Sequence, residues 1–295
     1  MNGHNPPDKH HYLPEFLLKQ WAGSDGRLCQ FSQPYSSVLK AKRVYPSQTG
    51  FERRLYSLKG LSYGVSTEIE STFFKPLDSK AADAHRMLLD GQPKSTWPGK
   101  NVYAWGQFLV SLNLRMPEDL KILRLRWSRK LSEIKQDLLG TGQSSSRLVQ
   151  SEQDDVEFER EVFGMLMDLN NSSRLLELYC EMHWETVDFS QSGYELYFSD
   201  RPIVRIPTHG TIRTSTLVPI SPSILFVAAP TELEAKRISK LNTRRNLREI
   251  NKIIVSAAEK FAYAPDDKPL RFMQNNFGSF RDDRPILGNG PEYLA

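Results

Sequence analysis

Cysteine is nearly absent: Cys29 and Cys180 are the only two in 295 residues, and they stand in separate segments without a C-x-x-C pair. That excludes a disulfide framework and a cysteine zinc site, and both residues read as buried thiols. Long apolar runs are absent as well. A membrane span needs roughly 18 to 20 apolar residues, and the longest run here is the short stretch Ile224–Ala229. A membrane is therefore not the expected partner. No charge of one sign dominates, since 39 Lys and Arg face 35 Asp and Glu for a formal net charge of +4. This is mildly basic, far below what a dedicated nucleic-acid coat carries. Residues 1–7 are polar, with no apolar stretch after a basic cluster, so no secretory signal is expected and a cytoplasmic location is the default.

The familiar chemical signatures are missing too. There is no G-x-G-x-x-G, no G-x-x-x-x-G-K-[ST], no G-x-S-x-G and no H-E-x-x-H, which removes sequence support for nucleotide cradles, serine hydrolase elbows and zincins. The six histidines are His4, His10, His11, His85, His183 and His209, of which only His10 and His11 adjoin. Neighbours on an extended segment point to opposite faces, so the pair is a poor chelate. A carboxylate-x-lysine nuclease strand has its letters in Glu234-Ala235-Lys236 and Asp78-Ser79-Lys80, but both fall on expected helices.

What is present is enough to fold. Hydrophobic residues make up 39% of the chain and aromatics 11%, so a sizeable core is within reach. Pro14 starts a short helix carrying Phe16, Leu17 and Trp21, and residues 27–63 read as irregular β broken at Pro34 and Pro46. Thr67 and Glu70 have capping-box spacing ahead of a helix with Phe73, Leu77, Ala84 and Leu88, which Pro76 should kink or restart. A second helix carries Val102, Trp105 and Leu109. A third carries the clean stripe of Leu120, Leu123, Trp127, Leu131, Ile134 and Leu138, which is expected to be buried. A Gly- and Ser-rich loop over residues 140–152, a helix capped by Ser151, and a helix with Leu175 and Tyr179 follow. From Trp184 the period changes to two, predicting a hairpin that turns at residues 190–193 into a strand with Tyr194, Leu196 and Phe198. Two further strands and a helical region from Thr231 to about Ala262 complete the core, and residues 265–295 read as a loosely attached tail.

Two basic runs, one from Lys121 to Lys135 and one with Lys236, Arg237, Lys240, Arg244, Arg245, Arg248 and Lys252, suit sequence-independent phosphate contacts. Each also lies on an amphipathic helix. An acidic helix with Glu152, Asp154, Asp155, Glu157, Glu159 and Glu161 is available to pair with either. Two short segments place polar groups beside bulky apolar ones at element edges: His11-Tyr12-Leu13-Pro14 and Phe198-Ser199-Asp200-Arg201-Pro202. Either can build a site. Equally, His11 can bond backbone ahead of a helix and Asp200 can hold its turn.

These segments belong to a longer pattern. It runs through His11, Tyr12 and Pro14; Gly50, Phe51 and Glu52 with Leu55, Tyr56 and Ser57; Ile69 and Glu70; and Arg115 and Pro117. Trp184, the Phe198 to Pro202 motif, residues 219–221 and Asn251 complete it. In order and spacing the pattern resembles a family catalogued as domain of unknown function 4238, found mainly in bacteria with some fungal members, over most of residues 11–262. In that family a second acid follows the Ile-Glu by about two helical turns, and Asp78, a shorter carboxylate, stands there. The resemblance brings no established activity, substrate or cofactor.

The expected fold is one α+β domain, with a central helical bundle packed on a small, mostly antiparallel sheet and an ordered core over about residues 10–264. Two functional readings remain open. In the first the chain is a hydrolase acting on nucleic acid or another phosphoester. His11 is then general base or metal ligand, Glu70 and Asp200 orient or ligate, and Arg115 sits on a phosphate or developing charge, while Tyr12, Ser199, Arg244, Arg245 and Arg248 bind substrate. This reading expects His11 and Asp200 to lie close in space. In the second the chain is a binding or regulatory protein, and the same residues form a structural polar network. Nucleic acid is the candidate partner, and metal, cofactor and oligomeric state stay open.

Overall fold

The computed structural model of the protein describes residues 9–34, 38–56, 69–140, 152–208 and 213–279. His4, Ser57, Thr67, Ser151, His209, the body of the 140–152 loop and residues 280–295 lie outside these, as do the side chains of Ile134, Leu138, Glu152, Asp154 and Asp155.

The chain opens with β1 (Lys9–His11) and α1 (Glu15–Leu18), which Pro14 precedes in an extended conformation and a 3-10 turn (Lys19–Trp21) extends. Then come β2 (Leu28–Ser32), β3 (Lys40–Val44) and β4 (Phe51–Arg53). Glu70–Phe74 form one π-helical turn ahead of α2 (Lys75–Leu89). Pro76 sits at the seam, where its missing N–H and bulky ring interrupt regular α-helical bonding. The central helices are α3 (Gly99–Leu114), α4 (Pro117–Gly140), α5 (Glu152–Asn170) and α6 (Ser173–Glu181). Strands β5 (His183–Asp188), β6 (Phe198–Ser199), β7 (Val204–Pro207), β8 (Thr214–Pro219) and β9 (Ile224–Ala229) follow. The helices α7 (Glu232–Ser239) and α8 (Arg244–Ser256), strand β10 (Ala262–Ala264) and α9 (Leu270–Asn276) close the described chain.

The architecture is α+β, as expected, but the strands form three antiparallel sheets where a single one was expected. β1 and β4 make a ribbon that pairs His10 with Glu52 and His11 with Phe51. A second sheet has the order β3-β2-β10-β6, and a third the order β5-β9-β8-β7. The expected hairpin after Trp184 does not form. β5 pairs with β9, and the segment after the turn crosses to the second sheet, where Phe198 pairs with Tyr263. The alternation misled because Tyr194 points outward at 45% exposure, while Leu196 and Phe198 are buried.

β9 explains why the third sheet is so apolar. Its Phe226 and Ala228 face the helical bundle, while Leu225, Val227 and Ala229 face Ile238 of α7 and Leu247 and Ile254 of α8. A strand covered on both faces loses polar alternation and becomes a continuous hydrophobic run. The bundle side is built around Trp105, which meets Phe108 at 5.0 Å and Phe226 edge-on at 5.5 Å.

Two expectations about packing change. The α4 stripe is buried at Leu120 and Leu123, half-buried at Trp127 and Leu131, and Trp127 spends its indole N–H on Glu161 at 2.7 Å. Among the described side chains of that helix, full burial stops at Leu123. The start of the supposed tail is packed instead: Met273 on α9 is fully buried, and Phe272 and Phe277 pack on the cluster of Phe31, Val255 and Ala262.

Candidate functional site

Arg115 follows the last residue of α3, and the turn into Pro117 points its side chain into the protein rather than along the helix. It has no solvent exposure. Its guanidinium lies between the rings of Phe108 and Phe74, 5.5 and 5.9 Å from their centroids. One nitrogen, Nη1, donates to Asp78 Oδ1 at 2.9 Å. The other edge, Nε and Nη2, has no hydrogen-bond partner among the described residues. Those two N–H groups form the side-on fork that suits a carboxylate or phosphate bidentately. Glu70, also buried, likewise leaves its Oε2 without a partner among the described residues.

Tyr56 holds this arrangement from below. Its hydroxyl donates to the Arg115 carbonyl at 2.8 Å, its ring stacks on Phe74 at 4.4 Å, and its own N–H donates to His10 Nδ1 at 3.0 Å. His10 is thus the inward member of the histidine pair and His11 the outward one, as neighbours on β1 must be. His11 leans on Phe51 and has Glu15 Oε1 at 3.7 Å. Gly50 makes the ribbon possible: its φ is +65°, its carbonyl accepts from both Tyr12 and Leu13, and a Cβ there would come within 2.9 Å of Leu13.

The electrostatics single out Glu70. Burial pushes its carboxyl up to about 7; Asp78 adds to this, while Arg115 and Lys75 oppose it. Asp78 is raised by burial against the pull of Arg115. Burial holds His11 below the ordinary imidazole value, with Glu15 opposing and Lys9, Arg115 and Lys75 reinforcing. Arg115 and Lys75 thus act on both Glu70 and His11. At neutral pH the surroundings leave a carboxyl near its midpoint and an imidazole that is neutral, an acid and a base in usable states. The cluster is open at its edge, where the Asp78 and His11 side chains keep 23% and 17% exposure.

Asp200 is placed differently from the expectation. Its carboxylate accepts from the backbone N–H groups of Glu259, Lys260 and Phe261 at 2.9, 2.6 and 3.0 Å and so fastens β6 to the turn before β10. Burial raises its carboxyl to about 6 against those three amides. Asp200 bears on Tyr12, whereas the charges acting most strongly on His11 are Glu15, Lys9, Arg115 and Lys75. Those three bonds give the carboxylate a structural use in holding the turn. Ser199 is buried and accepts from the Arg201 N–H at 3.1 Å, and Tyr12 is buried with its hydroxyl raised by burial. Like the Arg115 fork, the Tyr12 hydroxyl has no hydrogen-bond partner among the described residues. Around them stand polar residues that pattern reading passed over: Asp119 with Arg201 at 2.7 Å, and Lys260 bonded to Glu52 and 3.3 Å from Glu118. Asp119 and Glu118 follow Pro117 directly, in the first turn of α4, which was the one signal available.

The basic runs divide. On α4, Arg124 makes a bidentate pair with Glu159 of α5, which answers the expectation of an acidic partner helix. On α7, Lys236 and Arg237 pair with Glu232 and Glu234 of the same helix. Glu234-Ala235-Lys236 and Asp78-Ser79-Lys80 both lie on helices, so neither forms a nuclease strand. On α8, Arg245, Arg248 and Lys252 are exposed and make no ion pair among the described residues, and Arg244 meets only Tyr194. Among the described residues no three His, Cys, Asp or Glu side chains group as they would around a metal ion, and no helix is long and apolar enough to cross a membrane.

No curated protein and no solved structure matches this chain. A match to the family described as protein of unknown function DUF4238 covers residues 9–268. It takes in the β1–β4 ribbon, Glu70, Asp78, Arg115 and the Asp200 turn alike, and the chain belongs to that family.

Proposed function

We propose that the protein is a phosphoester hydrolase whose site is the Arg115 cluster. The observation that carries this is the unpartnered Nε and Nη2 edge of a fully buried guanidinium beside a carboxyl raised to about 7. Burying that edge without a partner costs free energy, which an anionic guest accepting from both N–H groups would recover. In this reading Arg115 spans two non-bridging phosphoryl oxygens. Water attacks phosphorus while neutral His11 takes its proton, the bond to the ester oxygen breaks, and protonated Glu70 gives its proton to the departing alkoxide. Asp78 positions Arg115. The location we propose is cytoplasmic, in keeping with two free thiols, Cys29 and Cys180.

The test is hydrolysis of bis-(p-nitrophenyl) phosphate and of a short labelled oligonucleotide, with and without magnesium, manganese or zinc. Glu70→Gln and Arg115→Lys should each lower turnover by about 10²- to 10⁴-fold, and Glu70→Gln should remove the limb of the pH profile near 7. No turnover of either substrate under any of these conditions by a folded protein would overturn the proposal. A second reading, a non-catalytic protein in which this cluster is structural, is favoured by Asp200, whose carboxylate is wholly spent on backbone amides. It predicts that Glu70→Gln changes stability alone.

A further inference from the structure

The Arg115 cluster leaves the bare cations of α8 without a use. Between α8, α9 and the turn at residues 190–195 lies a cleft of about 820 Å³, lined by Arg244, Arg248, Tyr194, Tyr197 and Phe272 among others. A second groove of about 670 Å³ continues from it along α8 and adds Arg245, Lys252 and Asn275. The two share Arg244, Arg248 and Phe272, so they form one trough. Five cations line it against Glu195, Asp266 and Glu249, and Asp266 is paired with Lys268 at 2.5 Å.

Exposed arginines on a helix are ordinarily just solvated. The rings beside them are a second and independent feature. Phe272 is half-buried and meets Tyr197 at 5.5 Å, Tyr194 is 45% exposed, and the guanidinium of Arg244 lies 3.9 Å from the Tyr194 centroid. Arg244, Arg248 and Lys252 recur every four residues, which spaces them about 6 Å apart along the helix axis. A charged row beside aromatic rings that line the same cleft, here Phe272 and Tyr197, is the combination that holds unpaired, stacked bases by their rings and their backbone by its phosphates. Of the asparagines lining it, Asn251 is spent on the Tyr197 N–H and the Glu195 carbonyl and Asn276 donates to the Phe272 carbonyl, which leaves Asn275 as the one amide to read a base edge.

We infer that this trough binds single-stranded nucleic acid with little sequence preference, its phosphates along Arg245, Arg248 and Lys252 and its bases against Phe272 and Tyr197. As an assignment of substrate class this rests on the phosphoester reading; as a binding site it stands alone. Fluorescence anisotropy with a labelled single-stranded oligonucleotide, full-length Glu70→Gln protein and several salt concentrations tests it. Binding should weaken steeply with salt. Replacing Arg245, Arg248 and Lys252 together by Ala should flatten the log–log slope by about 2, since each single-strand phosphate contact contributes about 0.7. Phe272→Leu keeps the packing volume and removes the stacking face, and it should cost about tenfold in affinity. Absence of binding at low salt, binding unchanged in the triple variant, or tighter binding to a duplex of the same sequence would each overturn the inference. Binding without turnover by the wild-type protein would leave the trough standing and remove the hydrolase. Turnover of the small diester without oligonucleotide binding would do the reverse.

Discussion

Arg115 and Glu70 confront the same physical problem, a polar group taken out of water with too few partners, and each meets it differently. Arg115 stays charged because Asp78 neutralises one end of it and the rings of Phe74 and Phe108 cover its faces. Glu70 keeps a share of its proton at neutral pH because burial and Asp78 outweigh Arg115 and Lys75. The sign of its pH dependence follows. Its carboxyl titrates at about 7 in the folded chain and near its ordinary value of 4.5 when unfolded, so between these values the native state holds a proton that the unfolded state has released. Stability contributed by Glu70 is full below about pH 4.5 and is lost as pH rises towards 7. Glu70→Gln should therefore flatten the stability curve over that window and leave the variant up to about 3 kcal/mol more stable than wild type at pH 8. Urea unfolding at several pH values checks this, and parallel curves would contradict it. Asp78→Ala should cost about 3 to 5 kcal/mol by stranding a buried cation, and Asp78→Leu with Arg115→Met together should restore most of that loss. Arg115 and Glu70 were legible from the family pattern. The use of Asp200 was not, because its three partners lie 59 to 61 residues further on and are backbone amides, which carry no side-chain signature.

Helices were more legible than strands because a helix is decided within its own turns. The period of Leu120, Leu123 and Trp127 located α4 and its inner face, yet a period cannot say how deeply each position is buried, and here Trp127 is only half-buried. Leu120→Ala should then cost about 2 to 5 kcal/mol, as a fully buried leucine does, and Trp127→Ala should cost less despite removing more atoms. Chemical denaturation of the two variants decides between a stripe buried throughout and one that runs out. Strands depend on distant partners. The Tyr194 to Phe198 alternation implied a hairpin with β5, whereas Trp21 donates its indole N–H to the Leu196 carbonyl at 2.8 Å and Asn251 bonds the Tyr197 N–H at 2.8 Å, drawing the segment to the other sheet. β10 has only three residues and no pattern of its own, so it was invisible within a region read as helix end and tail.

At the scale of the whole molecule that short strand matters most. β10 lies between β2 near the start of the chain and β6 near its middle, with Tyr263 paired to Gln30 on one side and to Phe198 on the other. Both of its junctions with the fold depend on neighbours remote in sequence, and the turn that delivers it, residues 259–261, is fixed by Asp200. Beyond it, Met273 of α9 seals the cluster that contains Ala262 and Ala264. Strand β10 is thus a structural centre, while on α4 the described side chains after Leu123 are half-buried or exposed. Native-state hydrogen exchange should show this ranking, with the amides of β9 and β10 exchanging only through global unfolding and those of α4 beyond Trp127 exchanging through local opening. Asp200→Ala strands three backbone donors at once, so it should lower global stability by more than about 2 kcal/mol. It should also bring the β10 amides down to a local opening well below the β9 level. If β10 in that variant still exchanged together with β9, the turn would be held by something other than the Asp200 carboxylate.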